Sequence, residues 1–375
     1  MRKLGVVMRA TPASGGTYQY SLSMLEALRH ARDYDITLYA DPQNPDLARL
    51  GYRIREFAES GAMQTGYFVA NVLGVSLPDP FADEDVLIAP TYCLALLHTR
   101  KPFAYTLHDL QEFYYPQNFS RLRRDFRRSV YLRLSKRARQ IICESEYVRS
   151  DIVRLLNVPA EKIVVVTAPP LRQAVADYSV AHFEEVRARL GLPDRFVFYP
   201  AQFWPHKNHL RLIEAFSLVV AREPDLKLVL TGNQRNEYEV VMRTVSEAGL
   251  ERNIQHLGYI KQTDLQAVYH LALALVMPSL FESISIPVYE AFQAGTPVVA
   301  SNILSFPEQV GDAGLLFDPL SSSAIADCIL RVAGDPELAQ QLGKRGPAKM
   351  VAMTPQRYCS QLQGLVELIL ARPQP

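Results

Sequence analysis

The sequence predicts an α/β protein with two Rossmann-like domains in tandem, and three observations carry that expectation. At 375 residues the chain exceeds the size at which one hydrophobic core usually stops growing. Short apolar runs alternate with amphipathic segments from end to end, the pattern of strands and helices in a parallel sheet. The alternation is interrupted once, by a polar connector with prolines on both sides, and then restarts.

Taken in order, "KLGVVMR" reads as the first strand, "TYQYSLSMLEALRHA" as a helix and "ITLYA" as the next strand. "DVLIAP", "FAYTLHD", "QIICES" and "IVVVTAP" complete a doubly wound layer. The stretch "APPLRQAVADYSVAHFEEVRARLGLPDRF" is the bridge. Beyond it come "FVFYPAQ", a helix in "HLRLIEAFSLVVARE", "LKLVLTG", a helix around "NEYEVVMRTVSEAG", and "IQHLGYI". "ALALVMPS", a short helix holding Glu290, "PVVAS" and "GLLFDP" close the second layer. The expected domains are 1–185 and 186–352, followed at 353–375 by a helix, "PQRYCSQLQGLVELILA", placed to pack back on the first domain.

Composition excludes several classes. With 40 basic against 39 acidic side chains, no global field draws the protein to nucleic acid. The opening "MRKLGVVMRATP" is too soon interrupted to read as a signal sequence, and no run of 18 apolar residues predicts a spanning helix. Cys93, Cys143, Cys328 and Cys359 are scattered without CxxC spacing, as expected of reduced, buried thiols in a cytoplasmic protein and not of a zinc site.

In open α/β sheets ligands bind where strand ends lead into helix starts, so those loops hold the candidate residues. In "YPAQFWPHKNHLRLIEAF", Lys207 and Asn208 stand just before a helix, where free N–H groups and the helix dipole favour an anion. A phosphate site and a solvated Lys with an Asn cap are both open readings. In "LFESISIPVYEAFQAGTPVVAS", Pro287 and Gly295 bound a short helix with Glu290 in its first turn and Glu282 in the loop before it. Glu282 and Glu290 suit hydrogen bonds to sugar and ribose hydroxyls; a dipole-complementing Glu290 and an exposed Glu282 are the alternative. Gly15-Gly16 follows the first strand and permits either a close backbone approach to a ligand or a plain turn. His108-Asp109 ends another strand, in a catalytic or a structural role.

Asp83-Glu84-Asp85 carries the letters of a metal-binding DxD but precedes a strand, so a solvated turn and metal-independent chemistry are expected. Residues 120–140 hold nine Arg and Lys against Asp125, interleaved with Phe126, Val130, Leu132 and Leu134. That is a basic amphipathic helix, suited to an anionic membrane surface or to a phosphorylated acceptor, with a solvated outer helix whose apolar face lies in the core as the alternative.

At "QFWPHKNH" and "FESISIPVYEAFQAGTPVVAS" the chain resembles glycosyltransferase family 4, the retaining group with the GT-B fold, two Rossmann-like domains facing each other across a cleft. The likeness covers nearly the whole chain, and the Glu-x7-Glu pair with "AGTPVVAS" is its most specific part. It implies that Glu282 contacts the donor sugar, Glu290 holds the nucleotide ribose and Lys207 meets the diphosphate. It further implies donor contacts from Gly15, Gly16, Gln202, Asn208, Gly232, Tyr259, Ile260, Ser283, Ile284, Ser285 and Ile286, with His108 as the cleft histidine. "HDLQEFYYPQNFS" is similar to bacterial enzymes that build surface polysaccharides, several of them mannosyltransferases.

Two departures stand out. Many relatives carry an Arg five residues before the Lys, where this chain has Gln202, which leaves Lys207 and the helix dipole to neutralise a diphosphate with less help. Many also carry glycines where this chain reads "ESIS". The expected function is a metal-independent, retaining hexosyl transfer with no cofactor. The donor is a nucleoside diphosphate sugar, GDP-mannose first, and the acceptor a glycan or polyprenyl-linked glycan of polysaccharide or O-antigen biosynthesis. The expected location is the cytoplasm, or the inner face of the membrane if residues 120–140 bind it. Catalysis would be electrostatic, from Lys207, the N–H groups of Ser283 to Ile286 and Gly16, with His108 and Glu282 on the sugar. The alternatives are a nucleotide-sugar-binding partner without turnover, or an epimerase or phosphorylase-like enzyme on the same architecture. A Rossmann oxidoreductase would need GxGxxG after the first strand, which is missing, and Asp41 alone does not replace it.

Overall fold

The computed structural model describes residues 1–171 and 179–371. The chain divides into two compact units, one of Met1–Leu171 joined by the segment from Met353 onward, the other ending at Ala352. The boundary expected at 185/186 falls inside the helix Val180–Leu190. That helix buries Phe183 and Val186 against Ala267 of the helix Gln262–Leu271, and Arg189 forks onto Asp264 at 2.9 and 3.0 Å. Its apolar face is covered by the second unit, so the boundary lies before it.

The first unit is built on a seven-stranded sheet: β1 Arg2–Val7, β2 Tyr34–Ala40, β3 Arg53–Glu56, β4 Val86–Ala89, β5 Phe103–Thr106, β6 Gln140–Cys143 and β7 Ile163–Val165. Its order is β3-β2-β1-β4-β5-β6-β7, and every pairing is parallel. Both faces are buried, as parallel sheets require. Leu4, Val6, Val86 and Ile88 face one core, while Val7, Leu87, Ala89 and Tyr105 face the other, the period-two alternation of a strand. Strand β3 was not legible in the sequence. It is an edge strand whose "RIRE" is mostly exposed, and it lacks the apolar run that marked the others.

The C-terminal helix Pro355–Ala371 lies on the helix Gly16–Leu28 of this unit and buries Tyr358, Leu362, Leu365, Val366 and Ile369 in the first core. Each such aliphatic side chain contributes about 1.5–3 kcal/mol. Tyr34 donates to Glu367 at 2.7 Å and Arg2 pairs with the same carboxylate, fixing the helix to the first two strands.

The second unit holds β8 Phe196–Pro200, β9 Lys227–Thr231, β10 Ile254–His256, β11 Ala274–Met277, β12 Val298–Ser301 and β13 Gly314–Phe317. These form a parallel sheet of order β10-β9-β8-β11-β12-β13. In each sheet the order reverses once, between β1 and β4 and between β8 and β11. A reversal leaves a crevice at the strands' carboxyl ends because the flanking connections leave in opposite directions.

Candidate functional site

In the first unit the β1/β4 switch point opens a cavity of about 250 Å³. Arg9 after β1, Tyr92 after β4, His108 and Asp109 after β5, and Ser14 and Thr17 at the start of the Gly16–Leu28 helix are among the residues that line it. Gly15 makes the turn into that helix at φ +60° and ψ −124°, a conformation that favours glycine. Gly15-Gly16 therefore shapes the cavity's rim.

His108 is held from both sides. One ring nitrogen lies 3.1 Å from the Glu144 carboxylate, the other 2.9 Å from the Pro90 carbonyl, and Tyr20 meets the ring edge-on at 4.7 Å. Both neighbours are acceptors, so the imidazolium satisfies both and a neutral ring only one. Burial opposes that charge, but Glu144, the Pro90 carbonyl and Asp109 together raise the pKa above its ordinary value. His108 therefore lines the cavity with both nitrogens committed to protein acceptors. To grip a sugar by hydrogen bond, as expected from the sequence, it must first release one of them.

Two arginines that the sequence did not assign to this site complete the cavity. Arg9 is bound to the buried Glu59 at 2.8 Å and lies over the Tyr92 ring. Arg127, from the helix Arg121–Arg137, reaches Glu112 at 3.1 Å and Asp109 at 3.5 Å. The signal for Arg9 was its place directly after the first strand. Arg127 was counted with a surface charge run, and only its partners reveal that it points inward.

In the second unit the loops after β8 and β11 are knitted together at the switch point. Leu280 N–H donates to the His206 carbonyl at 2.7 Å, and Tyr199 Oη donates to the Lys207 carbonyl at 2.7 Å. The Asn208 amide donates to the carbonyls of Pro278 and Pro319 at 3.0 and 2.9 Å. These bonds bring Lys207 Nζ onto Glu282, an ion pair whose side chains are 19% and 13% exposed. The helix His209–Val220 begins beside Lys207, and the helix Ile286–Ala294 begins just after Glu282. His209 stacks on Phe203 at 4.3 Å, and burial, aided by the charge of Lys207, pushes its pKa down to about 3, so it is neutral.

Gly232, after β9, sits at φ +132° against the neighbouring loop. A Cβ there would lie 2.3 Å from the Ala201 carbonyl oxygen. Gln202 accepts from Trp204 Nε1 at 3.0 Å and from Arg235 Nε at 3.2 Å. Glu290 is buried and accepts from Tyr269 Oη at 2.8 Å. Tyr259 and Ile260 follow β10, the edge strand two places from β8, and Gly258 just before them accepts from the Gly232 N–H at 2.9 Å.

Residues 14–168 match the family model described as Glycosyltransferase Family 4, and residues 182–349 match that described as Glycosyl transferases group 1. The chain belongs to the group 1/family 4 glycosyltransferases. It is 33% identical over 250 residues to O-antigen chain mannosyltransferase B of Escherichia coli, covering 65% of this chain and 64% of that one. It is 25% identical over 314 residues to O-antigen chain mannosyltransferase RfbU of Salmonella typhimurium, covering 81% and 83%. The chain thus spans less than two thirds of the first of these relatives. The crystal structure of Anabaena HepE in complex with UDP and glucose superposes with a TM-score of 0.78 at 20% identity, covering 98% of this chain and all of that one. At that identity the likeness establishes the fold, the two Rossmann-like domains of GT-B enzymes.

In this chain the family 4 half carries the His108 cavity, and the group 1 half carries Lys207, Glu282 and Glu290. Several sequence expectations for individual residues are corrected. Glu290 lies in the second turn of its helix, because the helix starts at Ile286 and Ser285 is its N-cap. Ser285 is buried, its N–H donates to Gln309 Oε1 at 3.0 Å and its carbonyl accepts from Gln309 at 2.7 Å, so that N–H is committed to protein and not presented to a phosphate. Ser283 and Ile284 are half-buried in the same loop. Asn208 stands at the N-cap of its helix at φ +61° but makes no side-chain cap bond; its amide instead clamps two neighbouring loops.

The Asp83-Glu84-Asp85 turn is not simply solvated. Glu84 is buried and accepts from Tyr39 Oη at 2.8 Å, Asp83 pairs with Arg55, and Asp85 accepts from the Lys3 N–H. The basic run 120–140 is helical only over Arg121–Arg137, with Ser120 as N-cap and Gln140 already in β6. Leu132, expected on its apolar face, is 41% exposed, and Val130, Tyr131 and Leu134 form the buried side. All four cysteines are buried free thiols. No helix among the described residues is long and apolar enough to cross a membrane.

Proposed function

We propose that this glycosyltransferase moves a hexosyl group, mannose first among candidates, from a nucleoside diphosphate sugar to a hydroxyl of a glycan or polyprenyl-linked glycan. GDP-mannose is the preferred donor, and the two O-antigen mannosyltransferases described above support mannose as the sugar. The observation that carries the reading is the Lys207–Glu282 pair at the β8/β11 switch point, between the starts of two helices. A diphosphate competes there for the Lys207 ammonium and gains from the helix starts, which attract anions. Glu282, released from Lys207, becomes an acceptor for sugar hydroxyls, and Glu290 one for the ribose.

Charge builds on the diphosphate as the glycosidic bond breaks, so fixed donors that meet this charge lower the barrier. Removing one such donor typically costs about 10²–10³ in turnover. Transfer with retention and without a metal belongs to this reading by family resemblance, and no side chain is assigned as a nucleophile. The acceptor is assigned to the first unit's cavity, where Arg9, Asp109 and Arg127 present hydrogen-bonding groups. Peripheral attachment to an anionic membrane is assigned to Arg121, Arg123 and Arg128, which are exposed on one helix beside the exposed Leu122.

The test is a thermal-shift screen against GDP, UDP, ADP and dTDP, followed by turnover of the matching sugar donors on lipid-linked glycan acceptors. A shift with one diphosphate, lost in Glu290→Ala and Lys207→Ala, is expected. A shift with none would remove the donor site. Binding without turnover on any acceptor would favour a binding partner over an enzyme.

A further inference from the structure

Resting on that donor-site reading, we propose that Arg235 supplies to the donor's diphosphate the positive charge that this chain lacks at position 202. The deficit is visible in the loop itself. Position 202 is a glutamine, His209 is neutral, and the charge of Lys207 is offset by Glu282. A diphosphate approaching the loop after β8 therefore meets little net positive charge from that loop.

Arg235 comes to the same loop from the next strand. It lies between β9 and the helix Tyr238–Glu247, and its Nε donates to Gln202 Oε1 at 3.2 Å. Its guanidinium lies over the Trp204 ring at 5.6 Å, and Trp204 Nε1 donates to the same Gln202 oxygen at 3.0 Å. Gln202 thus acts as the acceptor that seats an arginine from the neighbouring loop beside the end of β8.

The seat is built. Gly232 is pressed against Ala201 so closely that no side chain fits, and Glu237 N–H donates to the Phe203 carbonyl at 3.2 Å. The segment carrying Arg235 is thereby pinned to the 201–204 loop on both sides of it. Arg235 is exposed and has no ion-pair partner among the described residues. An arginine anchored through Nε and stacked on an indole keeps its two terminal amino groups as a fork, the geometry that takes two phosphate oxygens. Glutamine at 202 and arginine at 235 are then one device, a cation on one loop held by an acceptor on its neighbour.

The experiment measures GDP and UDP affinity by calorimetry for wild type, Arg235→Gln, Arg235→Lys and the double variant Arg235→Gln/Gln202→Arg. Arg235 is exposed, so the unliganded melting temperature is the control for folding. Loss of a charge-assisted pair predicts about 10- to 100-fold weaker binding in Arg235→Gln, partial retention in Arg235→Lys, and recovery in the double variant, which returns the charge to position 202. Recovery is a result that a merely loop-shaping role does not produce. Arg235→Gln within about twofold of wild type, or a double variant as weak as Arg235→Gln, would overturn the inference while leaving the donor site standing. A wild type that binds neither diphosphate would overturn the donor-site reading, and the inference with it.

Discussion

Replacing Glu282 with Gln separates its two proposed roles, because it removes a charge and keeps the shape. In the free protein Glu282 neutralises Lys207 in a pair that is mostly buried. When a diphosphate arrives, the carboxylate is a second anion nearby. At roughly 5 Å and an effective dielectric near 20, that repulsion is about 3 kcal/mol, and partial exposure reduces it to about 1–1.5 kcal/mol. Glu282→Gln is therefore expected to bind a bare nucleoside diphosphate about tenfold more tightly than wild type. Its turnover falls, because the amide accepts sugar hydroxyls less strongly than the carboxylate. Lys207→Ala is expected to weaken diphosphate binding and turnover together. Calorimetry with the diphosphate and steady-state kinetics with the sugar donor read the two effects separately. If Glu282→Gln weakens diphosphate binding as much as Lys207→Ala does, the carboxylate is not opposing the phosphates and the assignment of the pair is wrong.

Gly232→Ala must open the contact with Ala201, where the new Cβ would stand 2.3 Å from a carbonyl oxygen, and must also strain a backbone at φ +132°. Together these cost about 2–6 kcal/mol, a melting point lower by at least about 4 °C, whereas Gly364→Ala, with open space around it, leaves stability unchanged or higher. Equal melting points for the two variants would refute the close approach. The first unit's stability should depend on pH through His108, whose pKa is raised above the ordinary 6.5 because Glu144 outweighs burial. The contribution is full below 6.5 and is lost as pH rises through the folded value, so wild type loses more of its denaturation midpoint than His108→Gln does between pH of about 6 and 9; parallel losses would show that Glu144 does not hold the imidazolium. Changing Arg121, Arg123 and Arg128 to Gln should weaken binding to anionic vesicles by about 1 kcal/mol per residue, in a salt-dependent way, while Arg127 is left alone because Glu112 and Asp109 already hold it. Equal vesicle binding by both proteins would remove the membrane surface from the reading.

Much of the architecture follows from local sequence alone. Strands buried on both faces must be short apolar runs, and helices between them must be amphipathic, so twelve of the thirteen strands among the described residues were legible before any packing was considered. The exception, β3, is an edge whose partner on one side is solvent. The candidate residues after β5, β8 and β11 were equally legible, because strand ends that lead into helices announce themselves by the loss of apolar period and by Gly, Pro and Asn. Pairings between distant loops were not legible. That Lys207 meets Glu282, that Glu144 and Pro90 hold both nitrogens of His108, and that Gln309 takes the Ser285 N–H all depend on which strands become neighbours. The same holds for Arg127 and Arg235. One was read as surface charge and the other passed over, since the direction of a long side chain is set by partners many residues away. Sequence by itself determined the elements and the loops that bear chemistry, because those are local consequences of period and composition. Only the tertiary structure decided which charges are paired and which are left for a ligand, because that depends on strand order and the close approach of backbones at the two switch points.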